Sequence, residues 1–325
     1  MAGLLTAVLI GLRYEVGGDW IPYMVIFDRI AYKDFWGTLA EDDPGYALIN
    51  WVVIQAGLKI WAVNLICAAI FCWGTIRFAK RQPNPWLAIV VAVPYLIIVI
   101  AMGYTRQAVA IGIIFAGLAS LDRQTLGRFV VYILFAASFH KSAIIVLPLV
   151  ALAAARQRFA TAGLLMLAGV LLYYLFVDAA IDRMMTNYVE HEMASEGAGV
   201  RVSMNLLPAA IYLLYQKRFQ QTFQMSDMQV KVWRNLALGS VALLGMLFAT
   251  TASTAIDRLA LYFIPLQLFV WSRLPYIFTE KGRANGQLVI VIIAYSALIQ
   301  FVWLNYATHA EYWLPYQTFP FGNPY

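Results

Sequence analysis

Long apolar stretches, separated by joints that carry charge, proline or glycine, run along almost the whole chain. They read at roughly 2–12, 61–79, 86–104, 107–121, 161–177, 202–215, 236–253, 258–274 and 286–305, and a further pair flanks His140. Apolar residues make up 62% of the 325 and charged residues only 12%, whereas soluble domains carry about 25% charged residues. A membrane helix needs about 20 apolar residues, which sets a ceiling of about ten crossings. The expectation is an all-α integral membrane protein of about 9–11 transmembrane helices, forming a single polytopic membrane domain over residues 1–325. Disorder and nucleic-acid binding are excluded.

Orientation follows from where the bases fall, because Lys and Arg collect in short cytoplasmic loops. Fourteen of the 23 bases, from Arg77, Lys80 and Arg81 to Arg273, Lys281 and Arg283, fall in loops that one alternating path places together. Only Asp122, Asp227 and Glu280 join them, and the other acids lie opposite, chiefly in 13–44 and 178–201. That path needs a hairpin over 128–155 with His140 at its tip, each arm about 13 residues or ~20 Å long. A single tilted helix is the rival, and it inverts everything downstream. The path also needs 45–58 to lie on the outer surface. Residues 13–58 then form a structured outer loop with surface helices, rich in interfacial aromatics such as Trp20, Tyr23 and Trp36. Residues 178–201 form a second outer loop. Met1–Leu12 is too short to span, which predicts a mis-assigned start or a missing helix.

Ionisable groups in or at the ends of membrane helices are costly, so each is a functional candidate. Arg106 and Gln107 open one helix, His140 and Lys141 mark the hairpin tip, Arg201 starts another helix, and Asp257-Arg258 opens a further apolar stretch. Three arginines and a lysine at outer helix starts suit an anion site, since helix N-termini add partial positive charge and guanidinium matches phosphate oxygens. Snorkelling to lipid headgroups is the plainer alternative. His140-Lys141-Ser142 clusters donors around a group that exchanges protons near neutrality. Arg13-Tyr14-Glu15-Val16-Gly17-Gly18-Asp19-Trp20 leaves the first helix through a Gly-Gly pair that can aim Asp19 back at the membrane surface. Asp43-Pro44-Gly45-Tyr46 reads chiefly as a turn. Cys67 and Cys72 share one apolar stretch and indicate neither a disulfide framework nor a metal site. His191-Glu192 lacks a histidine four residues on, where Ser195 stands, so a zinc-protease helix is not indicated. No Walker A loop or dinucleotide fingerprint is present, and cofactor-free group transfer remains.

Taken in order, Leu12-Arg13-Tyr14 through Gly18-Asp19-Trp20 and Tyr23, Pro44-Gly45-Tyr46 with Asn50, Arg106-Gln107, Phe139-His140-Lys141-Ser142-Ala143 and Asp257-Arg258-Leu259 resemble the EpsG family. These are Wzy-like membrane polymerases of bacterial exopolysaccharide. The resemblance implies joining of undecaprenyl-pyrophosphate-linked oligosaccharide units on the periplasmic face of the bacterial inner membrane, on a glycosyltransferase-C-like scaffold. The chain departs from the family in its short N-terminus and in Asp43, where glutamate is frequent.

Under this resemblance Arg106 and Arg258, helped by Gln107, Lys141 and Arg201, stabilise pyrophosphate charge. Asp19 or His140 takes the hydroxyl proton, Glu15 and Arg13 orient the first loop, and Trp20, Tyr23 and Tyr46 stack on sugars. Fixed cations make a metal or other cofactor unnecessary. The partners implied are the lipid-linked oligosaccharide, membrane lipids, and a flippase and chain-length regulator of the same pathway. A transporter or flippase of lipid-linked glycan is the alternative, as is a glycan ligase or acyltransferase. A path through the membrane calls for polar residues at mid-depth and internal repeats. The polar candidates instead bunch at one face.

Overall fold

The computed structural model describes residues 1–121, 126–154, 163, 170, 198–249, 253–280 and 282–321. The expected helix at 161–177, apart from 163 and 170, lies outside the described residues. So do the second outer loop up to residue 197, the His191-Glu192 pair, and the basic residues Arg123, Arg156, Arg158 and Lys281. The described chain is almost wholly helical, and among the described residues a single isolated bridge, Arg13 to Thr318, is the nearest thing to a strand.

Three helices, Ile60–Ala79, Asp227–Ala249 and Gly286–Tyr306, are long and apolar enough to cross a membrane. Shorter apolar helices cover Ala2–Gly11, Pro85–Ala101, Thr105–Leu118, Gly127–Ala137 and Lys141–Ala153. In Ile60–Ala79 61% of the most apolar window is buried, against 11% in Gly286–Tyr306. The first is a core helix, and the second presents its apolar surface outward, as a helix in lipid does. The segment 13–58 is structured as expected, with helices α2 (Trp20–Ala31), α3 (Phe35–Leu39) and α4 (Pro44–Gln55) following α1 (Ala2–Gly11). Asp34 caps α3 by accepting from the Gly37 amide at 2.7 Å, and Pro44 starts α4 where no backbone donor is needed. Two helical arms flank His140: α8 (Leu126–Ala137) ends there, and a 3-10 turn Lys141–Ile145 leads into α9 (Val146–Ala154). The single unbroken helix over this region is therefore ruled out.

The chain divides into two compact units. One comprises residues 1–119, 131–141 and 291–325, and the other residues 120–130 and 142–290. In the first, α5 (Ile60–Ala79) crosses α7 (Thr105–Leu118) with the backbones nearly touching: a Cβ on Gly74 would lie 1.8 Å from the Gly112 carbonyl oxygen. Small residues at such crossings let membrane helices gain dispersion contacts that lipid cannot outcompete. Between α5 and α7 runs α6 (Pro85–Ala92), capped by Asn84 through the Leu87 amide, and it continues as a buried π-helical stretch, Val93–Ala101. The C-terminal segment returns to the start of the chain. The Tyr14 amide donates to the Gln317 carbonyl at 3.0 Å, the Phe319 amide to Leu12 at 2.7 Å, and the Gly17 amide to Tyr312 at 2.8 Å. Phe319 stacks on Trp61 with centroids 5.4 Å apart.

In the second unit, α10 (Ala198–Phe223) contains Pro208 and bends at Tyr215. It packs with α11 (Asp227–Ala249), α12 (Ser253–Ala260) and α13 (Ile264–Arg273) through an aromatic core in which Trp233 stacks on Phe269 at 3.8 Å. Asn205 joins three of these elements: its amide donates to the Ala260 carbonyl at 2.9 Å, and its oxygen accepts from Gln267 at 2.7 Å. Arg273 lies over Phe269 at 4.0 Å and Arg218 over Phe278 at 5.2 Å, so two bases of the expected cytoplasmic set rest on aromatic faces.

Candidate functional site

The first unit gathers four of the expected site residues, Arg106, Tyr23, Tyr46 and Lys141, into one group. Arg106 is the second residue of α7, which begins directly after Gly103-Tyr104. Its Nη1 donates to Asp43 Oδ2 at 2.7 Å, and its guanidinium sits over the Tyr23 ring at 5.8 Å. The Arg106 amide donates to the Tyr23 hydroxyl at 3.4 Å, while Tyr23 and Tyr46 tilt against each other with centroids 5.5 Å apart. Lys141 closes the group from another element, its backbone amide donating to Asp43 Oδ1 at 3.2 Å. Gly45 ties α4 to the end of α8: its amide donates to the Ser138 carbonyl at 2.8 Å, and a Cβ there would lie 2.6 Å from Ser138 Oγ. His140 follows two residues later, half-buried.

Exposure separates the members of this group. The Asp43 side chain is 7% exposed and that of Arg106 33%. Burial pushes the Asp43 carboxyl above the usual aspartate range, although Arg106 and the Lys141 amide pull it back. Tyr23, also buried, is pushed up to about 12 and stays a neutral phenol. The arrangement is a guanidinium fixed on one side by a carboxylate and a tyrosine, with its remaining surface at the N-terminus of a helix. That geometry suits an oxyanion, because the unused N–H groups and the helix dipole attract the same charge.

Asp43, which reads from the sequence as part of a turn, belongs to this group. It stands at the N-cap position of α4, yet its side chain makes no cap bond to that helix. The carboxylate is committed to Arg106 and Lys141 instead. The one signal available beforehand was its place directly before Pro44-Gly45-Tyr46.

Other expected residues are placed differently. Arg13 is 1% exposed, and its fork is turned inward to neutral oxygens. Gln107 is buried within α7. Gly17 has φ +106°, and a Cβ on it would lie 2.3 Å from the Met102 carbonyl oxygen, so the Gly-Gly exit makes the tight turn that its composition predicts. Glu15, beside it, is exposed with φ 52°. Asp19 is half-buried at the N-cap of α2, and Trp20 meets Tyr14 edge-on at 5.7 Å. Tyr23 and Tyr46, 2% and 1% exposed, face Arg106 and each other, so they line the group and offer no open ring face for stacking on a sugar.

In the second unit Arg201 Nε pairs with Asp257 Oδ1, their side chains 20% and 13% exposed. Arg258 is exposed and stands in the last turn of α12, not at a helix start. The expectation took Asp257 as the opening, but the helix begins at Ser253, and Ile256, Leu259 and Ala260 bury the face opposite Arg258.

Among the described residues no group of three or more His, Cys, Asp or Glu side chains is placed to share a metal ion. The EpsG family model matches residues 1–318. The chain belongs to the EpsG family. Membership agrees with the apolar helices in making it a membrane protein, and it associates this EpsG-family chain with exopolysaccharide biosynthesis. No curated protein and no solved structure matches the chain.

Proposed function

We propose that this EpsG-family protein is a polysaccharide polymerase, a glycosyltransferase that joins undecaprenyl-pyrophosphate-linked oligosaccharide units. Its site faces the periplasm from the inner membrane, on a glycosyltransferase-C-like scaffold. The observation that carries the reading is Arg106, held by Asp43 and Tyr23 at a helix N-terminus with a third of its side chain open.

In the reaction a hydroxyl of one unit attacks the anomeric carbon of the growing glycan. The new glycosidic bond forms as the bond from that carbon to the lipid pyrophosphate breaks, and the proton passes to a base. Arg106 is placed to meet the charge developing on the leaving pyrophosphate, where a fixed cation does the most for the rate. Asp43 has both oxygens engaged, by Arg106 and by the Lys141 amide, so it positions Arg106 and leaves the proton to His140 or Asp19. In the second unit, Arg201 held by Asp257 and the exposed Arg258 are cations for the same anionic class of ligand.

The test is polymer formation by purified protein in vesicles that contain lipid-linked repeat units. Arg106→Ala, His140→Ala and Arg258→Ala are each expected to stop chain growth in folded, inserted protein. A deletion strain that still makes normal long polymer would sink the polymerase reading. Single units passed to another acceptor without chain growth would make the protein a ligase.

A further inference from the structure

Arg13 is expected from sequence to orient the first loop at the site, and its guanidinium is buried and turned away from any ligand. It uses four of its five N–H groups inside the first unit. Nε donates to the Val16 carbonyl at 3.2 Å and Nη1 to the Ile10 carbonyl at 2.8 Å. Nη2 donates to Asn64 Oδ1 at 3.3 Å and to Thr105 Oγ1 at 2.6 Å. These acceptors belong to the end of α1, the first loop, α5 and the first residue of α7. Among the described residues no carboxylate pairs with Arg13, so a full charge is buried against neutral oxygens. Such a charge is a poor source of stability, because desolvation offsets most of what the hydrogen bonds return. What the planar fork supplies is geometry: it fixes four oxygens from four segments in one plane.

The tightest of the four bonds goes to Thr105, whose neighbour along the chain is Arg106. The C-terminal segment packs on the same region: its Thr318 bridges to the backbone of Arg13, and Trp313 Nε1 donates at 2.8 Å to the Ile98 carbonyl in the π-helical stretch before α7. Gly103, two residues before Thr105, lies under Trp313 so closely that a Cβ there would be 2.4 Å from that ring. The start of α7 is thus held by Arg13 at Thr105 and covered by Trp313 at Gly103.

We propose that Arg13 is a positioning residue that acts through Thr105 to set where the Arg106 guanidinium stands. Its role in the reaction rests on the polymerase reading, but its grip on α7 does not, and the experiment separates the two. Thr105→Val keeps the side-chain shape and removes the acceptor, whereas Thr105→Ser keeps the hydroxyl. Hydrogen exchange of residues 102–110 is measured on wild type and both variants in detergent. The expected result is about tenfold faster exchange in Thr105→Val, restored by Thr105→Ser, with Ile60–Ala79 unchanged. In the polymer assay, Thr105→Val is expected to lower kcat about tenfold with KM within about twofold, because displacing a catalytic cation costs rate more than affinity. Unchanged exchange in Thr105→Val overturns the inference whether or not the chain polymerises. Faster exchange with undiminished kcat overturns its reaction role and leaves Arg13 a purely structural tie. If the wild type forms no polymer while exchange responds as expected, the grip stands and the polymerase reading fails.

Discussion

Arg13 and Arg106 are both arginines beside helix ends, both outside the basic cytoplasmic set, and Thr105, the partner of Arg13, directly precedes Arg106 in the chain. Among the described residues Arg13, 1% exposed, meets only neutral oxygens. Arg106 meets a carboxylate and leaves a third of its side chain open. A guanidinium that has spent nearly all its donors on its own protein is an internal tie. One balanced by a single carboxylate, with donors left over, is available to an anion. The role of a costly cation in this membrane protein is therefore decided by how many of its donors the fold consumes.

The largest effect should fall on Arg13. Arg13→Ala strands two carbonyls, the Asn64 oxygen and the Thr105 hydroxyl in a buried space, at about 1–3 kcal/mol for each group left unsatisfied. The expected outcome is a loss of about 3 kcal/mol or more, read as a lowered thermal midpoint and a poor yield of folded protein. A variant of wild-type stability would erase the distinction between the two arginines. Arg106→Gln should do the opposite. Its amide can still donate to Asp43, so folding should be nearly unaffected. Polymer formation is expected to fall about a hundredfold, or about 2.7 kcal/mol of barrier, as when one oxyanion donor is removed.

The sequence makes the helices legible and the partners obscure. The runs at 61–79, 86–104 and 286–305 reappear almost residue for residue as Ile60–Ala79, Pro85–Ala101 and Gly286–Tyr306, because an apolar run of that length has few other ways to satisfy its backbone. Arg106, Lys141, Tyr23 and Tyr46 could be singled out because charge and aromatics are costly or distinctive against an apolar background. That Arg13 faces inward could not, since its acceptors are two backbone carbonyls, an asparagine and a threonine spread from Ile10 to Thr105. Asp43 was hidden for a related reason: an aspartate before Pro-Gly satisfies every local rule for a turn or cap, and only the fold reveals that its carboxylate is used elsewhere. Residues 310–319, which hold the first loop, show no pattern that would announce the contact. Their bonds run mostly from backbone to backbone, which side-chain identity does not encode.

A third, smaller effect tests the Asp43 side of the pair. Its carboxyl is raised by burial, so as pH falls it takes up a proton earlier than an ordinary aspartate, and Arg106 then loses its counter-charge. Activity is expected to decline on the acid side at a pH above the ordinary aspartate value, and Asp43→Asn should flatten that limb while lowering activity about tenfold at neutral pH. The stability sign is opposite. A folded-state value above the unfolded one means the contribution is fully present below the ordinary aspartate value and lost as pH rises through the raised one. Asp43→Asn should therefore remove that loss of stability with rising pH. An acid limb unmoved by the substitution would assign it to another group.

The smallest effect is expected at a charge cluster in the same loop that resembles the Arg106 pair only on paper. Glu41 accepts from Arg29 Nη2 at 2.7 Å and from Lys33 Nζ, bringing α2 and the end of α3 together. Arg29 is 52% exposed and Lys33 34%, so water and salt screen both interactions. Pairs of this kind are worth about 0–1 kcal/mol, and the lower half of that range applies here. Glu41→Gln should shift the thermal midpoint barely, leave polymer formation within about twofold, and show whatever effect it has only at low ionic strength. A loss comparable to that of Arg106→Gln would mean that exposure does not divide structural from functional cations in this loop. The first loop would then act as one electrostatic unit, with Glu41 setting its shape as firmly as Arg13 does from beneath.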